Sequence, residues 1–208
     1  MRANPSWSSR VSIIHFFDPL AHLPAIAALG DQQVLLRAVY SRSSASAKHL
    51  ADEALKALKL DSPPHVYSDD SADNLDTLLA RKDIAAVIVV LPITKQPEIV
   101  LKALEAGKHV LSEKPVAKDV KTGIDLIDEY EKTYKPKGLV WRVAENFEAE
   151  PGYQRAAQVI RQGQIGDVRF FRLSAVGFTG KDSKWYKTPW RTIPDVSDVS
   201  KFASADYD

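Results

Sequence analysis

The sequence has no cysteine, which excludes disulfide bonds, thiolate catalysis and cysteine-bound metal sites. Its five histidines share no spacing typical of metal ligands, so no metal site is predicted. The 28 basic and 27 acidic side chains nearly cancel, which gives no electrostatic reason to expect a nucleic acid or a membrane surface as partner. The longest apolar run, residues 84–93, is about half of what crosses a bilayer. Without a recognisable signal peptide, we expect a cytoplasmic protein that acts on a small molecule.

Glycine is scarce as well. None of the nine glycines precedes Gly30, so no glycine-rich phosphate-binding loop can lie within the first 29 residues.

Strand-like and helix-like segments alternate from residue 11 to residue 143. Residues 34–40 and 85–91 are apolar runs typical of parallel strands, and a helix rich in Ala, Leu and Lys is predicted over 45–58. Repeated strand–helix units with short connections predict an α/β fold with a doubly wound parallel sheet. After Phe147 the pattern changes to a helix at 150–161, an alternating strand at 168–175 and a tail without a clear period. We therefore predict one domain at 1–147 and a truncated α/β second unit at 148–208.

A parallel sheet of this kind binds ligands beyond the carboxyl ends of its strands. The predicted ends carry polar or aromatic segments, at residues 15–18, 41–43, 91–92, 113–115 and 144–146.

The segment GKHVLSEKP at 107–115 resembles the Gfo/Idh/MocA oxidoreductase family, which has a Glu-Lys-Pro turn after a sheet strand. Six further segments agree in order, at residues 21–26, 38–43, 91–93, 96–98, 144–147 and 188–191. The resemblance implies a Rossmann-like domain that binds NAD(P). It also implies a following α/β domain whose open sheet covers the nicotinamide and often mediates oligomerisation.

The resemblance makes Lys114 the main catalytic candidate, because the family's lysine lies by the nicotinamide and polarises an oxygen or relays a proton. Glu113 and His22 are its candidate partners. The alternatives are that residues 113–115 form only a structural turn and that His22 packs or caps a helix.

The cofactor candidates are Ser41, Arg42, Ser43 and Pro92. In the family an acidic residue at the end of the second strand binds the ribose of NAD, whereas an arginine there suits the 2′-phosphate of NADP. The alternative is a solvated Arg42 at the entrance to a helix.

Six residues are candidates for substrate binding. Phe16 and Phe17 would make the binding site apolar, and Glu145 and Asn146 lie where the chain enters the second unit. Trp190 and Arg191 could line the ligand, cover an exposed half-sheet or pack against a second subunit.

Two departures from the family bear on activity. Residues 15–20 (HFFDPL) replace the glycine loop with bulky Phe side chains, a carboxylate and a proline without an N–H donor. The family's later Asp/His pair has no match, since the last histidine is His109. We therefore expect no bound cofactor or weakly bound NADP, and non-redox acid–base chemistry by Lys114 in an isomerisation, elimination or cyclisation.

Two other functions stay open. One is a conventional NADP-dependent oxidoreductase acting on a sugar, a polyol or a small carbonyl compound, and the other is a non-catalytic binding relic. A homodimer formed through residues after 165 is expected in each case, because an unpaired strand edge is usually covered.

Overall fold

A computed structural model describes residues 9–15, 22–174, 176–178 and 180–183, with side chains at 9–15 described only for Val11. The chain divides into two units, Met1–Ala144 and Glu145–Asp208. The boundary predicted after Phe147 stays a prediction. Within the described part of the chain, no helix is both long and apolar enough to span a membrane.

The first unit is built on a six-stranded parallel sheet with the order β3-β2-β1-β4-β5-β6. Its strands are β1 (Ser9–His15), β2 (Val34–Ser41), β3 (His65–Ser68), β4 (Ala86–Val90), β5 (His109–Ser112) and β6 (Trp141–Val143). Its helices are α1 (Leu23–Leu29), α2 (Ser44–Ala57), α3 (Leu75–Ala80), α4 (Gln96–Glu105) and α5 (Val120–Glu129). This order confirms the predicted Rossmann-like doubly wound sheet.

The central strand β4 explains the continuous apolar run in the sequence. Val87 and Val89 pack into one core cluster, and Ile88 and Val90 pack into the other. Successive side chains of a strand point to opposite faces, so a sheet covered by helices on both faces needs apolar residues at every position.

The strand order reverses at β1, which pairs with β2 on one side and with β4 on the other. Doubly wound sheets bind their ligands in the crevice outside the carboxyl ends of the strands at such a reversal. The register pairs Val89 of β4 with Ser112 of β5, so the residues that follow these two strands lie side by side.

Lys108 belongs to the same nine-residue segment as Lys114 but has a structural position. Its Nζ is buried and donates to the carbonyl oxygens of Arg81 (2.5 Å) and Ile84 (2.9 Å). Burial, together with the nearby Lys82 cation, lowers the pKa of Lys108. It immediately precedes β5 and so lies at the amino ends of the strands, whereas the predicted ligand site lies at their carboxyl ends.

The described part of the second unit contains a single turn of 3-10 helix at Phe147–Ala149 and the helix α6 (Pro151–Arg161). The strand predicted at 168–175 is wrong at residues 168–174, which form no strand, while Ala175 lies outside the described residues. An alternating apolar sequence becomes a strand only where a neighbouring strand takes up its backbone hydrogen bonds. The described residues of this unit include no such strand, and the Phe170 and Phe171 side chains are exposed.

Candidate functional site

The turn Glu113–Lys114–Pro115 follows β5 directly and is tied to two neighbouring elements. The Glu113 N–H donates to the Val89 carbonyl of β4 at 2.9 Å. The Gln96 side chain, buried at the first position of α4, donates from Nε2 to the Pro115 carbonyl at 2.8 Å. The Lys114–Pro115 peptide bond is cis. These contacts fix the backbone on both sides of Lys114.

His22 and Glu113, two of the three predicted catalytic residues, are in contact. His22 Nε2 lies 2.9 Å from Glu113 Oε1, and the two side chains are 13% and 26% exposed. The other carboxylate oxygen of Glu113 accepts the Lys114 backbone N–H at 3.1 Å.

The charge on Glu113 follows from these contacts. The hydrogen bond from His22, followed by smaller contributions from Lys114, holds the pKa of the Glu113 carboxyl below its usual value in spite of partial burial. Glu113 is thus a carboxylate at neutral pH, and His22 Nε2 must be the donor in their hydrogen bond. The His22 side chain caps no N–H of α1, so the capping alternative does not apply.

Lys114 itself is exposed at the carboxyl edge of the sheet. Its backbone is held, while its side chain faces solvent where a ligand of a doubly wound sheet would lie. The structure therefore brings the three predicted catalytic residues together and leaves the ammonium group accessible.

The predicted cofactor residues differ in their surroundings. Ser41 is buried at the end of β2, and Arg42 is exposed. The Ser43 hydroxyl accepts the Ser46 N–H at 3.3 Å and so caps the N-terminus of α2. Pro92 follows β4, and its carbonyl accepts the Lys95 and Gln96 N–H groups at the start of α4. Their binding of a cofactor stays a prediction.

A carboxylate that the sequence did not single out lies beside the residues that follow β2. Asp70 accepts the Ser44 N–H at 2.9 Å and the Ser44 hydroxyl at 2.5 Å, and Ser44 in turn lies 3.0 Å from the Ser68 hydroxyl. Hydrogen bonds from Ser44 and Ser68 lower the pKa of Asp70. The Asp70 carboxylate therefore places a negative charge at the start of α2, against Ser44, which is two residues after Arg42 in the sequence.

The predicted substrate residues are only partly described. Phe16, Phe17, Trp190 and Arg191 lie outside the described residues. Glu145 and Asn146 belong to the second unit and are exposed. Glu145 accepts the Phe147 N–H at 3.4 Å, and Asn146 donates to Glu150 at 3.2 Å. Their role in substrate binding stays a prediction.

Gln96 is a second residue, besides Asp70, that the sequence did not single out as part of the site. The available signal was a polar side chain at the first turn of a helix that begins next to the predicted ligand edge. Its side chain is 1% exposed, and its Oε1 has no hydrogen-bond partner among the described residues.

The strand order and the ligand edge at the carboxyl ends of the strands define a Rossmann-type unit, a class of fold that binds dinucleotides. The family model GFO_IDH_MocA, an oxidoreductase family with an NAD-binding Rossmann fold, matches residues 19–137, which is more than half of the chain. The chain belongs to this family. The match begins after residues 15–18, where the glycine loop is missing.

Sequence similarity to two named relatives agrees with this family assignment. Dehydrogenase FPY6 of Fusarium mangiferae is 43% identical over 84% of this chain and 48% of its own length. The dTDP-3,4-didehydro-2,6-dideoxy-alpha-D-glucose 3-reductase of Streptomyces violaceoruber is 34% identical over 71% of this chain and 37% of its own length. The chain thus spans less than half the length of these two relatives.

Solved structures give the same result. An oxidoreductase from Thermotoga maritima superposes with a TM-score of 0.70 at 27% identity, covering 89% of this chain and 53% of that one. KijD10, a 3-ketoreductase from Actinomadura kijaniata in complex with NADP and TDP-benzene, has a TM-score of 0.59 at 28% identity, covering 77% and 46%.

Proposed function

We propose that this chain carries the nucleotide-binding unit of an NADP-dependent oxidoreductase that interconverts a hydroxyl and a carbonyl group on a small polar substrate, such as a sugar. The observation that carries this proposal is the exposed Lys114 on a tethered turn at the carboxyl edge of the sheet, in a chain of an oxidoreductase family. None of the relatives named above supports the non-redox interpretation, which stays a prediction.

The described residues fit NADP at the ribose end of the site. The exposed Arg42 offers a guanidinium to a 2′-phosphate, and no carboxylate stands at residues 41–43, where family members that use NAD would place one. Pyrophosphate binding has less support, because residues 15–20 contain no glycine. We therefore expect NADP to bind weakly, because its pyrophosphate loses one or more of the charge-assisted hydrogen bonds that a glycine loop would donate. Each such hydrogen bond is worth roughly 1.5–3 kcal/mol.

The chain's own residues supply proton transfer in this proposal. The bound nucleotide would supply the hydride as NADPH when a carbonyl is reduced and would accept it as NADP in the reverse direction. The Lys114 ammonium donates a proton to the substrate oxygen as a carbonyl is reduced, and the Lys114 amine accepts it in the reverse direction. Glu113 accepts the Lys114 backbone N–H, and Gln96 holds the Pro115 carbonyl, so the lysine approaches the substrate from a fixed backbone.

The substrate class rests on the relatives. The Streptomyces violaceoruber enzyme is named as a reductase of a dTDP-bound keto sugar, and KijD10 was solved with TDP-benzene. An oxidised sugar is therefore the first class of substrate to test.

A nucleotide titration tests the cofactor. We expect NADP to bind more tightly than NAD, and Arg42→Ala to weaken NADP binding about tenfold while NAD binding is unchanged, since an Arg–phosphate pair contributes about 1–2 kcal/mol at an exposed site. Arg155→Ala, on α6 of the second unit, is the matched control. Failure of both nucleotides to bind at about 1 mM, which corresponds to only about −4 kcal/mol, would refute the proposal.

Turnover tests the role of Lys114. With keto sugars as substrates, oxidation of NADPH should be measurable in the wild-type protein and should fall at least about a hundredfold in Lys114→Ala, as for loss of a general acid. Full activity in Lys114→Ala at saturating substrate would exclude the assigned role.

A homodimer is proposed through residues after 165. It is supported by the large exposed apolar side chains in the described part of this segment, which are Val168, Phe170, Phe171, Leu173, Val176 and Phe178. Light scattering at micromolar protein concentration measures the mass, and a monomer would contradict this proposal.

A further inference from the structure

Both oxygens of the Glu113 carboxylate are engaged by different donors. His22 Nε2 binds Oε1 at 2.9 Å, and the Lys114 N–H binds Oε2 at 3.1 Å. The orientation of the carboxylate is therefore fixed by a residue that lies 91 positions earlier in the chain.

The imidazole of His22 is a fixed donor. Its side chain is only 13% exposed, and its carbonyl accepts the Ile26 N–H at 3.0 Å in the first turn of α1. The Glu113 carboxylate, in contrast, is adjacent in sequence to the Lys114 ammonium and is close enough for their charges to interact. If His22 were absent, Glu113 Oε1 would lose its partner and the carboxylate could turn to the lysine.

We propose that His22 is a positioning residue for Lys114 and acts through Glu113, by keeping this carboxylate away from the lysine ammonium. A Lys114 that is paired with Glu113 would be turned from the ligand, and its amine would be less available to the substrate oxygen. The importance of this arrangement for catalysis rests on the function proposed for Lys114, but the arrangement itself can be tested without cofactor or substrate.

A purely structural role of His22 makes a different prediction. If the His22–Glu113 hydrogen bond only joins α1 to the turn, its loss lowers stability and leaves the reactivity of the Lys114 amine unchanged. If His22 acts through Glu113, its loss changes that reactivity, and the change disappears when Glu113 carries no charge.

Competitive labelling of lysine amines with acetic anhydride in the nucleotide-free protein separates these cases. Cleavage after glutamate releases residues 114–129, so Lys114, Lys118 and Lys121 are measured in one peptide. Lys118 is the internal reference. Lys121, whose Nζ lies 2.5 Å from Asp125, calibrates the effect of an exposed ion pair through the matched variant Asp125→Asn, which should speed its labelling.

We expect His22→Ala to slow labelling of Lys114 relative to Lys118 by roughly two- to fivefold, the size of an exposed ion pair. His22→Gln, whose amide still donates, should restore the wild-type rate. In the Glu113→Gln background, where residues 106–129 form the peptide, His22→Ala should have no effect on Lys114. If His22→Ala does not fold, His22→Asn, whose shorter amide does not reach Oε1, replaces it.

Two results would overturn the proposal. One is a Lys114 rate that is unchanged in folded His22→Ala, and the other is an equal slowing in the Glu113→Gln background. Because no nucleotide is present, neither result depends on NADP binding, and a failed NADP titration leaves this test intact.

Discussion

Lys108 and Lys114 lie six positions apart in one motif, but Lys108 is buried and Lys114 is exposed, so we assign a structural role to Lys108 and propose a functional role for Lys114. Lys108→Met tests this assignment, because methionine keeps most of the aliphatic chain and removes the ammonium. The variant leaves the carbonyls of Arg81 and Ile84 without the donor that now lies 2.5 and 2.9 Å away. Ile84 is buried, so water does not easily replace the lost donor there.

The expected loss follows from these contacts. A buried acceptor left unsatisfied costs about 1–3 kcal/mol, and hydrogen bonds from a charged donor are at the upper end of the range. The gain from no longer burying an ammonium offsets part of this cost, as the lowered pKa of Lys108 shows. We expect a net loss of about 2–3 kcal/mol, which for a chain of this size lowers the Tm by roughly 4–12 °C.

Urea unfolding followed by circular dichroism measures the free energy of unfolding, and the NADP titration measures the Kd of the nucleotide. Lys108→Met should lower stability and leave the Kd of NADP unchanged, while Lys114→Ala should lower activity and leave stability within about 0.5 kcal/mol of wild type. Lys56→Met, on the exposed face of α2, is the control for loss of a surface lysine. A Lys108→Met protein with wild-type stability would refute the structural assignment.

Three further predictions concern the first unit. Asp70→Asn should tighten NADP binding about two- to fivefold relative to NAD in parallel titrations, because it removes a negative charge close to the 2′-phosphate that Arg42 is proposed to bind. An equal effect on the binding of both nucleotides would contradict this placement of the phosphate. Ser43→Ala should lower the urea unfolding free energy by about 1 kcal/mol through loss of the α2 cap, whereas an unchanged value would show that the cap contributes nothing. His109 Nδ1 accepts the Val140 N–H at 3.0 Å, and burial lowers the pKa of His109. Because the unfolded chain therefore binds more protons, the free energy of unfolding in urea should fall as the pH drops below about 6.5. This pH dependence should be weaker in His109→Asn.

The fold of the first unit could be predicted because its signals are local and periodic. The apolar run at 85–91 indicates a strand without reference to distant residues, whereas the turn at 113–115 was expected from the resemblance to the family. The strand prediction was wrong at residues 168–174 for the opposite reason, since a strand needs a partner strand, which an alternating sequence does not supply.

The contacts of the site were not visible in the sequence. His22 and Glu113 were both candidates, but their 2.9 Å contact joins residues 91 positions apart and follows from the sheet order. Gln96 and Asp70 were missed because each acts on a backbone group of another element, the Pro115 carbonyl and the Ser44 N–H. Such side chain–backbone contacts leave no periodic pattern.

The contacts that hold the turn with Lys114 come from residues outside the glycine-free segment of the sequence. The turn that carries Lys114 is held by Val89 of β4, by Gln96 of α4 and by His22 through Glu113. Val89, Gln96 and His22 all lie outside residues 16–20, where the glycines are absent. The glycine-free segment therefore weakens our expectation of nucleotide affinity without removing the support of Lys114. It follows that weak NADP binding and an intact proton-transfer residue are compatible, and that nucleotide titration and lysine reactivity must be measured independently to judge the activity of this chain.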